Sequence, residues 1–175
     1  MKITISGPPG SGTTTLAEHL AHRHGYLLIS AGELFRQMAK EKGLDIAQFG
    51  KSAENESAID ALIDARQKDV AAGHENVIIE GRLSGWMIED ADLKIWLNAP
   101  TSVRAKRIAH RDGGDEYAAR KKTVEREECE YRRYKKYYKI DINDLSPYHL
   151  VIDTELWNPD QLACIVDLAM GYLKK

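Results

Sequence analysis

Five short apolar, β-rich runs punctuate the chain: Lys2–Ser6, Tyr26–Ser30, Asn76–Glu80, Leu93–Asn98 and His149–Asp153. Between them apolar positions recur at helical spacing, which predicts helices over Thr13–His24, Gly32–Lys42, Ala53–Ala72 and Thr101–Arg111. Gly25, Gly43, Gly73 and the pair Gly113-Gly114 follow these four segments, where a glycine most readily closes a helix. A last helix opens at Asn158-Pro159, an N-cap followed by a first-turn proline. Strands alternating with helices imply crossover connections. The expected fold is therefore α/β, a five-stranded parallel sheet with helices on both faces.

One stretch breaks the alternation. Asp115–Lys139 is highly charged and poor in aliphatic residues, so it reads as a helix that is not core but a mobile lid over about 112–140. Within it, tyrosines 131, 134, 137 and 138 are expected to pack the helix onto the body.

Composition narrows the class. At 175 residues the chain suits a single domain, 1–175, with balanced charge and an ordinary apolar fraction. Its net charge of −2 hides an asymmetry: Arg104 to Lys139 holds thirteen Lys/Arg against seven Asp/Glu, a local +6. A basic segment on an acidic body favours a local anion site over a nucleic-acid coat. No apolar run is long enough to cross a bilayer. MKITISGPPG enters strand and loop at once, without a leader peptide, and Cys129 and Cys164 form no paired motif. A cytoplasmic monomer is the expectation, with neither membrane nor nucleic acid as partner.

The sharpest motif is Gly7-Pro8-Pro9-Gly10-Ser11-Gly12-Thr13-Thr14, between the first strand and the first helix. Glycines at this spacing let successive backbone N–H groups converge on phosphate oxygens, and the helix N-terminus adds positive potential. Thr14 occupies the hydroxyl position that coordinates Mg²⁺ in such loops. Thr13 stands where the motif expects Lys, so cationic charge must come from elsewhere, and the basic segment is the candidate source.

Ligands of open parallel sheets lie beyond the carboxyl ends of the strands. Glu80 ends the third strand and is placed to hold Mg²⁺ through water. Arg82 follows it, and Arg36 sits one helical turn after the second strand; together they would clamp a second, accepting phosphate. Arg104, Arg107 and Arg111 share one helical face, while Arg126, Glu130 and Arg133 share another at i, i+4, i+7. A salt-bridged solvated surface would account for these side chains, but they suit charge stabilisation in phosphoryl transfer. Asp60, Asp64 and Gln67 fall at i, i+4, i+7 on the third helix; they read as a base-recognition face or an exposed polar one.

The full set of motifs resembles the nucleoside monophosphate kinases, and within them the cytidylate kinases of the archaeal type. The residues carrying the resemblance are GPPGSGTTT (7–15), SAGELFRQMA (30–39), FGKSAE (49–54), EGRLSG (80–85), KIWLNAP (94–100), REECEYRRYKKYY (126–138) and DINDLSPYHLVIDT (141–154). They cover nearly the whole chain. The resemblance implies a P-loop kinase fold with a helical lid and an acceptor-binding helical region at about 30–75. It implies ATP held by Gly7 to Thr15, including Thr15 itself, and a CMP phosphate held by Arg36 and Arg82. It places Arg126 and Arg133 on phosphates as catalytic lid residues and Glu130 near the nucleotide. The implied reaction is Mg²⁺-dependent phosphorylation of CMP or dCMP by ATP. Beside it stand another small-molecule kinase on the same fold, of adenylate or shikimate type, and a nucleotide-binding regulator without catalysis.

Overall fold

The computed structural model describes residues 1–55 and 57–173. Its elements run β1 (Lys2–Ser6), α1 (Thr13–His24), β2 (Leu27–Ser30), α2 (Ala31–Glu41), α3 (Ile46–Asn55), α4 (Ser57–Gly73), β3 (Val77–Glu80), α5 (Ser84–Met87), β4 (Leu93–Asn98), α6 (Thr101–Asp112), α7 (Glu116–Tyr138), β5 (Leu150–Asp153) and α8 (Pro159–Leu173). All five strands are parallel, in the order β2-β3-β1-β4-β5.

Strand alternation sorts the core into two layers. Ile3, Ile5, Ile78, Ile95 and Leu97 turn to one face, against Leu16 and Leu20 of α1 and Leu162 and Val166 of α8. Val77 and Ile79 turn to the other, against Ala71 of α4 and Ile88. β1, β3 and β4 are buried on both sides, as the inner strands of a parallel sheet must be. Gly25, at φ 65°, closes α1 with its N–H on the Ala21 carbonyl. Asn158 Oδ1 accepts from the Gln161 N–H at 2.9 Å at the start of α8.

The helix expected over Ala53–Ala72 is helical at its described residues, within Ile46–Asn55 and Ser57–Gly73, with Glu56 outside the described residues. One expectation needs correction. The charged segment is not a helix excluded from the core. α7 packs against α6 and α3 and buries Thr123, Glu130, Arg133 and Tyr134. Its charges can be buried because they are paired within the fold, and Tyr134 joins Leu83, Trp96, Ile142 and Tyr148 in a separate apolar cluster.

Candidate active site

The loop between β1 and α1 is shaped by close backbone approaches. A Cβ on Gly7 would lie 2.4 Å from the Leu97 carbonyl oxygen, so only glycine lets the loop leave the sheet here. Gly10 has φ +82° and faces the Arg104 carbonyl oxygen, which a Cβ would approach to 2.8 Å. The loop is fastened from outside by α6 and β5. Arg104, only 5% exposed, donates from Nε to the Ala99 carbonyl (2.9 Å) and from Nη1 to the Pro9 carbonyl (3.0 Å). The same guanidinium pairs with Glu127 of α7. Arg107 donates to the Thr154 hydroxyl (2.9 Å) and carbonyl (2.7 Å), and Thr154 Oγ1 donates to the Ser11 carbonyl at 2.9 Å. Arg104 and Arg107 share a helical face that the sequence suits to charge stabilisation or to a solvated surface. Their spacing was the available signal; their contact with the loop needed the fold.

Glu80 stands beside the loop at the end of β3. Its Oε1 accepts from Thr13 Oγ1 at 2.7 Å and lies 3.5 Å from Thr14 Oγ1, and its Oε2 accepts from Ser30 Oγ at 2.5 Å. Gln67, 1% exposed, donates from Nε2 to the Glu80 backbone carbonyl at 3.0 Å. This donor set of carboxylate and hydroxyl oxygens fits a hard cation such as Mg²⁺. Thr15 points to solvent.

A second array joins β3, α4 and α7. Arg82 Nε donates to Glu130 Oε2 at 2.5 Å, and Arg126 Nε to Glu130 Oε1 at 2.8 Å. Burial disfavours the Glu130 charge, yet Arg82, Arg126 and Arg133 together outweigh it and hold the carboxyl at about 2. Arg133 lies 2.5 Å from Asp60 Oδ2, and both side chains are under 10% exposed. Burial pushes the Asp60 carboxyl upward against the pull of that guanidinium. Asp64 accepts from the Tyr138 hydroxyl, and its own burial lifts it to about 6.

Three residues expected on one polar face, Asp60, Asp64 and Gln67, therefore do not form an exposed surface. Their polar atoms engage Arg133, Tyr138 and the Glu80 backbone. Arg36 is exposed on α2. Between loop and lid lies a cleft of about 520 Å³, lined by Pro8, Arg82, Trp96, Arg104, Tyr131 and Arg132 among others. It sits at the carboxyl ends of β1, β3 and β4, where the topology predicts a ligand.

The sheet order, the glycine loop and the carboxylate that ends β3 define a P-loop phosphotransferase. The same fold is seen in shikimate kinase from Acinetobacter baumannii, with a TM-score of 0.64 at 17% identity over 98% of this chain and 93% of that one. Residues 2–156 match the cytidylate kinase-like family, and the chain belongs to that family. It is 57% identical to the cytidylate kinase of Methanosphaerula palustris over 99% of each chain. It is 52% identical to that of Pyrococcus furiosus over 98% of this chain and 88% of the other. Among the described residues no helix is long and apolar enough to cross a membrane.

Proposed function

We propose that the protein transfers the γ-phosphoryl group of ATP to the phosphate of CMP or dCMP, releasing ADP and CDP or dCDP. One observation carries this reading: a chain 57% identical to a cytidylate kinase over 99% of its length sets a phosphate-binding loop and Arg82, held by Glu130, at one cleft.

In this reading the loop from Gly7 to Thr15 holds the ATP phosphates through N–H groups of its non-proline residues, with α1 adding its N-terminal potential. Thr14 and Glu80 would hold Mg²⁺, which would supply neutralising charge for the transfer. Arg36 and Arg82 grip the acceptor phosphate, α2 to α4 forming its binding region. An oxygen of that phosphate attacks the γ-phosphorus as the bond to the ADP oxygen breaks. Arg126 and Arg133, carried by the lid over about 112–140, stabilise charge on the moving group. Glu130 orients Arg82 and Arg126 and borders the nucleotide. Asp60, Asp64 and Gln67 support this wall from α4 and face the acceptor side. The protein works as a cytoplasmic monomer without nucleic-acid or membrane partners. CMP-dependent release of ADP from ATP tests the reading, and ADP release indifferent to CMP would sink it.

A further inference from the structure

Thr13, the residue that departs from the usual phosphate-loop pattern, donates from Oγ1 to Glu80 Oε1 at 2.7 Å, while the Ser30 hydroxyl holds Oε2 at 2.5 Å. Glu80 is 7% exposed, and among the described residues no Lys or Arg is ion-paired to it. Its carboxylate is held by the hydroxyls of Thr13, Thr14 and Ser30, and its backbone carbonyl by Gln67. These neutral donors fix the orientation of the carboxylate without an ion pair to it. A carboxylate held in this way is open to a hard cation. An ionised carboxylate offers about four acceptor positions, so at least one remains for a metal or its water.

Resting on the phosphotransferase reading, we propose that Thr13 is a positioning residue of the Mg²⁺ site. Its hydroxyl aims Glu80 at the metal, and its lack of charge keeps that carboxylate available. A Lys at position 13 would begin within reach of the same oxygen and neutralise it. The threonine is thus a working part of the metal site, and restoring the usual Lys damages that site. The opposite view, that Thr13 is a degenerate lysine position, predicts that Lys improves the enzyme.

The test reads metal binding without turnover. Mn²⁺ affinity is measured from the free-ion paramagnetic resonance signal at saturating ADP, for the full chain and for Thr13→Ser, Thr13→Val and Thr13→Lys. Circular dichroism melting checks that each variant folds, and Ser and Lys keep the test decisive if Val does not. Ser should stay within about twofold of the parent, while Val weakens Mn²⁺ binding roughly tenfold, the order expected for one hydrogen bond to an ionised group. Lys should weaken it at least as much as Val, and the Mg²⁺ concentration for half-maximal ADP release should shift in the same order. Val within about twofold of the parent, Lys binding as tightly as the parent, or Ser falling as far as Val each overturns the proposal, since the hydroxyl's hydrogen bond and the absence of charge are the two effects claimed. If the parent fails to phosphorylate CMP while the Mn²⁺ series holds, the function reading falls and the metal assignment stands.

Discussion

Arg82 Nε donates to Glu130 Oε2 at 2.5 Å, joining the residue just beyond β3 to the middle of α7 across 48 positions of sequence. The contact makes the charged helix part of the body, with Arg126 closing on the other carboxylate oxygen. The Glu130 side chain is 6% exposed, so its removal leaves Arg82, itself 14% exposed, without its carboxylate and frees the more exposed Arg126.

Glu130→Gln should therefore destabilise the fold by about 3–5 kcal/mol at neutral pH, the usual cost of breaking a buried pair from one side. The native carboxyl titrates at about 2 against an ordinary 4.5. Its stabilisation is thus complete above about pH 4.5 and is lost as pH falls toward 2. Urea unfolding between pH 2.5 and 7 should show that acid slope in the parent and a shallower one in Glu130→Gln. An equal slope in both would remove Glu130 from the account.

Asp64 carries the opposite sign. Burial raises its carboxyl from 3.8 to about 6, so the native state binds the proton more tightly than the unfolded chain. Its contribution is present below about pH 4 and is lost as pH rises through 6. Asp64→Asn should flatten the stability curve between those values and leave the acid slope from Glu130 in place. Unfolding curves at pH 4, 5 and 6 decide the matter, and an unchanged curve contradicts the assignment.

Arg36→Ala and Arg82→Ala should each lower kcat/KM for CMP by roughly 10²–10⁴-fold while ATP binding stays nearly intact. Calorimetric titration with ATP separates the two sites. If Arg82→Ala weakens ATP more than CMP, the donor and acceptor assignments are exchanged.

Local chemistry made much of this molecule legible. The strands Lys2–Ser6 and Leu93–Asn98 and the helix Thr13–His24 have the bounds read from periodicity and glycine punctuation. The loop was equally plain, because its glycines answer to backbone geometry that is local. The burial of α7 was not legible. A run of Arg and Glu looks the same solvated or paired, and the partners of Glu130 and Arg133 come from β3's end and α4. Thr13 is the same case: the sequence shows a missing charge, and only the fold shows the carboxylate beside it.

Arg126 offers the cleanest test of the lid. Its side chain is 42% exposed, so truncation disturbs packing less than loss of Arg133 would, which leaves Asp60 buried without its partner. Arg126→Ala should lower kcat well beyond any change in the affinity for CMP or ATP, as expected of a contact made mainly in the transition state. Single-turnover kinetics alongside equilibrium binding check it. An unchanged kcat returns Arg126 to a surface ion pair.

The central claim is the choice of acceptor. The direct measurement is a coupled assay of ADP release at fixed ATP and Mg²⁺, with CMP, dCMP, UMP and AMP offered in turn. CMP and dCMP should give the highest kcat/KM of the four. Turnover of AMP or UMP equal to or better than CMP would contradict the account.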